Sequence, residues 1–403
     1  MNKRLRIGLL THSVRARGGV VHTLELAQAL VARGHSVTVM ASAEPGEQLF
    51  REVDFPLHVL GLPHLTGDLQ AQVAQRIDTL VQGLPPLLTD GRYDVLHAQD
   101  SLSGNALALL RQQGRALPPW ARTVHHLDVF ESATLMAWQE RAWRAADGIA
   151  CVSDLWTDHF REVLYHPARR MHNGVNLDRY RIEATAGDEL RLAVLGLDQQ
   201  ASPVCLLVGG VEQRKNSVRL LQAFAQLRRS NPAWADARLV VVGGASMLDH
   251  SAAQRAWVHT LVENGLSEGV GQPVLRTGTL PDDLMPVLMR RAAVLAMPSL
   301  MEGFGLAALE GLACGTPVLV SRRPPFTEHF STSPGVAWCD PEDTASIASG
   351  LQAAASMPRL TATPPVCLDH SWIRSAALHE AWYAELLAAH RKAADHEPLT
   401  LCN

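Results

Sequence analysis

Short apolar runs alternate with helical segments along the chain, and this alternation restricts the fold more than any other feature of the sequence. In the first half, the apolar runs predict strands at Leu5–Thr11, Ser36–Met40, Pro56–Leu60, Tyr93–His97, Arg122–His125 and Gly148–Val152. After residue 200 the pattern restarts and predicts strands at Val204–Val208, Leu239–Val242, Val294–Met297 and Pro317–Val320. Continuous apolar strands separated by helices indicate parallel sheets that are covered on both faces.

The length of the chain indicates how these strands are divided. A chain of 403 residues is too long for one compact core, so the repeated pattern predicts two doubly wound domains. Between the two halves, Leu177–Gln200 is polar and irregular, which predicts a linker with a short helix. Ligands of open α/β sheets bind beyond the carboxyl ends of the strands. We therefore expect the site in a cleft shared by the two domains.

The end of the chain predicts one long amphipathic helix near Ser371–Ala394. Its apolar residues recur at helical spacing, so we expect its apolar face to pack on a domain. Binding to a membrane surface is the alternative. It is disfavoured because the helix carries Glu380 and Glu385 and few basic residues.

The composition excludes several classes of function. The formal net charge is −4, which gives no general basic footprint, and we expect no nucleic-acid partner. The apolar run near the N-terminus is too short for a signal peptide, and no stretch is long enough to span a bilayer. The six cysteines are Cys151, Cys205, Cys314, Cys339, Cys367 and Cys402. Because they are scattered without a C-x-x-C pair, we expect buried free thiols and a reducing, cytoplasmic setting.

Two glutamates bracket a glycine-rich turn in the segment Glu302-Gly-Phe-Gly-Leu-Ala-Ala-Leu-Glu310. The turn follows a predicted strand and opens a predicted helix, whose first N–H groups lack partners within the helix and carry a partial positive charge. Glycine lets an anion come close to that backbone. The backbone expected to hold a diphosphate belongs to Gly303, Phe304, Gly305 and Leu306.

The two carboxylates suit the hydroxyl groups of a nucleotide sugar, because an ionised carboxylate only accepts hydrogen bonds. We expect Glu310, on the helix, to bind a ribose diol. Glu302, before the helix, would bind the hydroxyls of the sugar. The structural alternative is a helix capped by Glu302, with Glu310 exposed.

Two cations follow a strand and the pair Gly209-Gly210. Arg214 and Lys215 would face the same cleft, where they would neutralise the charge that develops on a leaving diphosphate. The alternative is a solvated basic pair before a helix, with Asn216 or Ser217 as its N-cap.

The first half contains two further candidates. Gly18 and Gly19 lie between the first strand and the next helix, as a loop for close approach of a phosphate or as a plain turn. His125 closes a strand in His125-His126-Leu-Asp128, where it could bind a sugar hydroxyl or transfer a proton. A structural histidine is one alternative, and a metal site is another. The metal site is disfavoured because no further ligand cluster is evident, and we expect no metal.

With these residues in view, the chain resembles the retaining glycosyltransferases of the GT-B fold, in the large family 4 (group 1) that includes bacterial mannosyltransferases and sucrose synthases. The resemblance covers nearly the whole chain. Its most specific part is Glu302-Gly-Phe-Gly-Leu followed by Glu310, which is similar to the E-x7-E signature of the family. Lys215 matches the lysine that contacts the donor diphosphate, and His125 matches a histidine near the reacting sugar. Gly18-Gly19 matches the N-terminal glycine loop.

The resemblance implies an acceptor-side domain of residues 1–180 with the tail helix 371–403, and a donor-binding domain of residues 181–370. It implies a retaining, hexosyltransferase-like reaction without divalent metal or cofactor, in which a sugar passes from a nucleotide-diphosphate donor to an unidentified acceptor hydroxyl. The catalytic residues that it implies are His125, Lys215 and Glu302. The donor-binding residues that it implies are Gly18, Gly19, Arg214, Gly303, Phe304, Gly305, Leu306 and Glu310.

One position departs from the pattern of the family. The family has an arginine where this chain has Gly210, so Arg214 is the candidate for the missing cation. Two other functions stay open. A nucleotide-sugar epimerase of the same architecture would convert the donor alone, and a non-catalytic nucleotide-sugar-binding protein would have lost its activity with the change at Gly210.

Overall fold

The computed structural model describes residues 4–89, 91–197, 202–244 and 247–396, with only the helical backbone of residues 393–396. The chain divides into two compact units. Unit 1 comprises Met1–Asn173 together with Trp372–Asn403, and unit 2 comprises Gly174–Ser371. Each unit is built on one parallel sheet, as the alternation of apolar runs and helices predicts.

The sheet of unit 1 holds the strands of the first half. They are β1 Arg6–Leu10, β2 Ser36–Ala43, β3 Leu57–Gly61, β4 Val95–Ala98, β5 Trp120–Val124, β6 Gly148–Cys151 and β7 Arg169–Arg170. They pair in the order β3-β2-β1-β4-β5-β6-β7. The inner strands β4 and β5 are buried throughout, as expected for a sheet covered on both faces.

Helices connect the strands of unit 1. They are α1 Gly18–Ala32, α2 Leu69–Gly83, α3 Ser101–Gln112, α4 Ala133–Arg144 and α5 Asp154–Glu162, with a 3₁₀ turn at Pro85–Leu87. Side chains of Asp68, Asp100 and Ser132 accept a backbone hydrogen bond at the starts of α2, α3 and α4, which fixes where these helices begin.

Unit 2 repeats the plan. Its strands are β8 Val204–Val208, β9 Arg238–Val242, β10 Val274–Gly278, β11 Val294–Met297, β12 Val318–Ser321 and β13 Val336–Cys339. They pair in the order β10-β9-β8-β11-β12-β13. This order makes β8 and β11 neighbours although they are far apart in the chain, and their carboxyl ends therefore lie side by side.

The helices of unit 2 are α6 Asp188–Val194, α7 Ser217–Ser230, α8 Ser251–Glu263, α9 Leu284–Arg291, α10 Leu306–Ala313, α11 Phe326–His329, α12 Thr344–Ala355 and α13 Pro365–Asp369, with a 3₁₀ turn at Pro232–Trp234. Helices α7 and α12 share a core with the sheet. Its largest fully buried side chains, Phe224 and Trp257 with no exposed surface, lie on α7 and α8.

The tail forms one helix, α14 Trp372–His396, which belongs to unit 1. Buried residues recur along it at helical spacing and include Trp372, Ala376, His379, Tyr383 and Leu386. A Cβ added at Gly148 of β6 would lie 2.8 Å from the Leu386 side chain, so the helix packs closely on the sheet. The prediction that its apolar face packs on a domain is confirmed.

The predicted strands recur in the structure with bounds shifted by one to three residues, and Val204–Val208 and Val294–Met297 are reproduced without a shift. Strands β7, β10 and β13 were not predicted. All three lie at an edge of their sheet, where one side of the strand is unpaired and the apolar signal is weaker.

Candidate functional site

The loops after β8 and β11 meet at the carboxyl edge of the sheet in unit 2. The backbone N–H of Leu300 donates to the carbonyl oxygen of Arg214 over 2.9 Å. The Asn216 side chain donates to the carbonyl oxygens of Pro298, at 2.9 Å, and of Pro341, at 2.6 Å. These bonds tie the two loops together and bring Lys215 next to the glutamate segment.

Glu302 forms a buried ion pair with the cations of the β8 loop. Lys215 Nζ lies 2.6 Å from Glu302 Oε1, and Arg214 Nη1 lies 3.3 Å from Glu302 Oε2. The Ser299 hydroxyl donates to Oε1 over 2.9 Å. The structure therefore brings together three residues from two loops that are far apart in the sequence.

The charge of Glu302 follows from these neighbours. Burial alone would raise its pKa, but the positive charges of Lys215 and Arg214 and the hydrogen bonds from Lys215 and Ser299 lower the pKa from 4.5 to about 2. The carboxylate is therefore ionised at neutral pH and accepts hydrogen bonds only. Both carboxylate oxygens of Glu302 are turned to the cations of the other loop.

The turn before α10 requires glycine at position 305. Gly305 has a left-handed φ of +98°, and a Cβ there would lie 2.6 Å from the Phe326 ring, so both conformation and space require glycine. The Phe304 side chain is buried, with its ring centroid 4.4 Å from that of His329 and 5.5 Å from that of His370. The turn thus leads directly into α10, whose first amides lack partners within the helix.

Glu310 lies in α10, four residues after Leu306 at the start of the helix. It is 9% exposed, so the alternative in which Glu310 is an exposed surface residue is wrong. Gly303 follows Glu302 in the chain, so the predicted phosphate loop and both acids occupy one short segment of unit 2.

A side chain at position 210, where the family has an arginine, would meet a close neighbour. A Cβ on Gly210 would lie 3.0 Å from the carbonyl oxygen of Gly244, in the turn that follows β9. The stem of Lys215 lies across Gly209, where a Cβ would approach it to 3.1 Å. Arg214 is the next cation of this loop, and its Nη2 also lies 3.5 Å from Glu212 Oε2.

Sequence reasoning missed two contributors to this site and misread a third. Ser299 and Glu212 carried no signal of their own, because their roles depend on contacts between loops. Asn216 does occupy the position before α7, with a left-handed φ of +59°, but its side chain makes no capping bond. The prediction of an N-cap is wrong, since the side chain instead joins the β8 loop to the β11 loop.

The candidates of unit 1 lie near the start of α1. Gly18 and Gly19 form the first turn of α1 and are not a loop before it, which corrects the prediction. His125 follows β5, and a Cβ added at Gly19 would lie 3.6 Å from its ring. Burial is the main reason why the pKa of His125 is well below 6.5, and the positive charges of neighbouring groups lower it further. His125 is therefore neutral at pH 7.

A second polar cluster of unit 1 was not predicted. Asp100, before α3, accepts a hydrogen bond from the backbone of His12 over 2.8 Å, and the His12 ring lies 3.2 Å from the same oxygen. Arg122 of β5 is buried nearby, and desolvation lowers its pKa to about 10. These residues follow or belong to adjacent strands, but single polar residues at strand ends give no distinct sequence signal.

Three further predictions concern metals, thiols and membranes. Within the described ranges, no group of three or more His, Cys, Asp or Glu side chains could hold a metal ion. The thiols of Cys151, Cys205, Cys314, Cys339 and Cys367 are free and buried, as predicted, whereas Cys402 lies outside the described residues. None of the helices in the described part of the chain is both long and apolar enough to cross a membrane.

Solved structures share this architecture. Sucrose-phosphate synthase from Thermosynechococcus elongatus has a TM-score of 0.76 and 21% identity, over 96% of this chain and 100% of that one. Anabaena Alr3699/HepE, solved in complex with UDP and glucose, has a TM-score of 0.65 and 16% identity, over 98% of this chain and 100% of that one. At these identities the likeness concerns the fold, and it defines a protein of the GT-B class.

Sequence comparisons give the family. The model for glycosyl transferases group 1 matches residues 197–363, and the model for glycosyltransferase family 4 matches residues 16–179. The D-inositol 3-phosphate glycosyltransferase of Salinispora arenicola is 29% identical over 336 residues, which are 76% of this chain and 72% of that protein. The chain therefore belongs to the GT-B glycosyltransferases, with a family 4 region in its first half and a group 1 region in its second.

Proposed function

We propose that this enzyme transfers a hexose from a nucleoside diphosphate sugar to an acceptor hydroxyl, with retention of the anomeric configuration and without a divalent metal. The observation that carries the proposal is the buried carboxylate of Glu302, ionised and paired with Lys215 beside the start of α10. Unit 2 would bind the donor, and unit 1 would bind the acceptor.

Positive charge at the edge of unit 2 suits the diphosphate of the donor. Lys215 supplies a point charge, Arg214 supplies a planar fork of donors, and the first amides of α10 supply a partial positive charge. Gly303 and Gly305 would let the diphosphate approach the backbone. Alr3699/HepE, which shares the fold, was solved with UDP and glucose, and this supports a nucleoside diphosphate as the leaving group.

The two acids would hold the ends of the donor. Glu302 would accept hydrogen bonds from hydroxyls of the transferred sugar, and Glu310 would accept them from the ribose diol. Both side chains are buried, where a charge-assisted hydrogen bond is stronger than in water.

The chemistry needs no nucleophile from the protein. The bond between C1 of the sugar and the diphosphate oxygen breaks, and the acceptor oxygen forms the new bond to C1 on the same face. The acceptor proton passes to the departing phosphate. Lys215 and Arg214 would stabilise the charge that develops on the diphosphate, which is the task that a divalent metal performs in other transferases. His125, neutral at pH 7, would bind a hydroxyl near C1.

Donor turnover tests this proposal. We expect Lys215→Met and Glu310→Gln each to slow the release of nucleoside diphosphate from UDP-glucose, or from whichever nucleotide sugar of a panel is active, by about 30- to 1000-fold. Lys392→Met and Glu263→Gln are the matched controls, because both side chains are exposed and lie outside the site. We expect them to retain the rate of the wild type.

Four outcomes would contradict separate parts of the proposal. Turnover near that of the wild type in both Lys215→Met and Glu310→Gln would remove the assignment of the site. A product whose anomeric proton coupling shows inversion would refute retention, and loss of activity in EDTA would refute metal independence. A wild-type enzyme that is inactive with every nucleotide sugar would refute the donor class.

A further inference from the structure

The ring of His125 rests against two residues of α1 that lie one turn apart. A Cβ at Gly19 would lie 3.6 Å from both Cδ2 and Nε2 of His125. The His22 ring lies edge-on to the His125 ring, with centroids 4.8 Å apart and planes at 78°. Residues at i and i+3 share a helix face. The first turn of α1 therefore places the space beside Gly19 and the imidazole of His22 against the same ring, that of His125.

His22 is itself held in place from several sides. It is fully buried, and its Nδ1 lies 2.8 Å from Oδ1 of Asn173. An amide oxygen only accepts hydrogen bonds, so Nδ1 of His22 carries the proton. The Trp372 ring of α14 packs edge-on to His22 with centroids 5.3 Å apart. The helix, the segment that ends at Asn173 and the tail helix thus fix one orientation of His22.

On the side that faces α1, the His125 ring is held by packing. Neither Nε2 of His125 nor Nε2 of His22 has a hydrogen-bond partner among the described residues. The titratable groups that face His125 are His22, Arg122, His126 and Asp100. The aromatic ring in contact with His125 is that of His22, with centroids 4.8 Å apart, and substitution of His22 by alanine would remove it.

We propose that His22 is a positioning residue that, with Gly19, fixes the ring of His125 in the one orientation that serves the reaction. This inference rests on the proposed function, because it takes from it the role of His125 beside the reacting sugar. Gly19 and His22 then both contact the ring of His125. The first turn of α1 admits the histidine ring at Gly19 and supports it at His22.

The test uses the full chain with His22→Ala and His22→Phe. In both variants we expect kcat to fall, by at least about tenfold in His22→Ala, because a small loss of alignment at the reacting centre is costly. We expect the donor KM to change by less than about twofold, since the proposed contacts with the diphosphate and the ribose of the donor lie in unit 2. His22→Phe retains an aromatic ring, so a smaller fall is expected. His259→Phe, at an exposed position of α8, is the control.

A second readout does not depend on activity. In protein with ¹³C- and ¹⁵N-labelled histidine, the ring signals of His125, assigned by their loss in His125→Gln, should be a single sharp set in the wild type, as one ring orientation requires. In His22→Ala we expect these signals to broaden or to split, because the ring then exchanges between orientations. If His22→Ala does not fold, His22→Phe gives the same comparison.

The outcomes separate this inference from the proposed function. Unchanged His125 signals together with an unchanged kcat in a folded His22 variant would overturn the inference. A variant with lower kcat and lower thermal stability but with unchanged His125 signals would also overturn it, since this result would show a structural role only. A wild-type enzyme without nucleotide-sugar turnover would refute the proposed function, and the His125 signals would still decide whether His22 positions the ring.

Discussion

Lys215→Met removes the nearest positive charge from a buried carboxylate and leaves a side chain of similar length. In the wild type, Lys215 Nζ contacts Glu302 Oε1 at 2.6 Å, and the side chains of both residues are largely buried. Breaking a buried pair from one side is costly because the remaining charge stays in a medium that solvates it poorly. We expect unit 2 to lose stability at neutral pH.

The size of the loss follows from the pKa of Glu302. Its fall from 4.5 to about 2 is equivalent to about 3 kcal/mol of stabilisation of the ionised form. Because the folded pKa is lowered, this stabilisation is complete above pH 4.5 and disappears as the pH falls toward 2. In Lys215→Met the pKa of Glu302 rises, since burial then opposes ionisation with only Arg214 to compensate. The difference in stability between wild type and variant should therefore widen as the pH rises.

Urea denaturation at a series of pH values measures this difference. We expect Lys215→Met to lower the free energy of unfolding of unit 2 by about 3 kcal/mol at pH 7 and by much less near pH 3. The double variant Lys215→Met/Glu302→Gln should recover most of the loss at pH 7, because it buries no unpaired charge. Lys392→Met should match the wild type. A Lys215→Met variant as stable as the wild type at pH 7, or one whose loss does not depend on pH, would refute the reasoning.

Three shorter predictions concern the backbone and the tail helix. Gly305→Ala should lose at least about 1 kcal/mol more stability than Gly34→Ala, because both positions have positive φ but only Gly305 lacks space for a Cβ; equal losses in urea denaturation would contradict this. Gly210→Arg should weaken the binding of UDP in calorimetry, and tighter binding would show that the neighbouring turn yields. Tyr383→Phe should lower the unfolding free energy by about 1 kcal/mol, because the Tyr383 hydroxyl forms a hydrogen bond with Nδ1 of His97 at 2.6 Å. An unchanged free energy would show that this bond makes no net contribution to stability.

The class of fold could be predicted because inner strands of parallel sheets are apolar without interruption. Val204–Val208 and Val294–Met297 are buried almost throughout, and their bounds were predicted without error. Edge strands pair on one side only and tolerate polar residues, as Val274–Gly278 shows with Arg276 and Thr277. The sequence pattern was therefore too weak to distinguish β7, β10 and β13 from loops, whereas β3, also at an edge, was predicted.

The candidate site could be predicted only as a set of strand ends. The sequence places Lys215 after β8 and Glu302 after β11, but the pairing of these two strands is a property of the sheet order. The contact between the two side chains, and with it the low pKa of Glu302, follows from that order. The close approach of a Cβ at Gly210 to Gly244, in the turn after the neighbouring strand, likewise depends on the order of the strands.

The contact between Lys215 and Glu302 changes how the site must work under the proposed function. Arg214 and Lys215 face two carboxylates, those of Glu212 and Glu302, so these four side chains carry no net charge. A diphosphate therefore cannot rely on an excess of cations. It would have to share Lys215 and Arg214 with the acids, and the amides at the start of α10 would supply the remaining positive potential. Gly305, at a positive φ and against the Phe326 ring, holds the backbone from which these amides would complete the charge of the site.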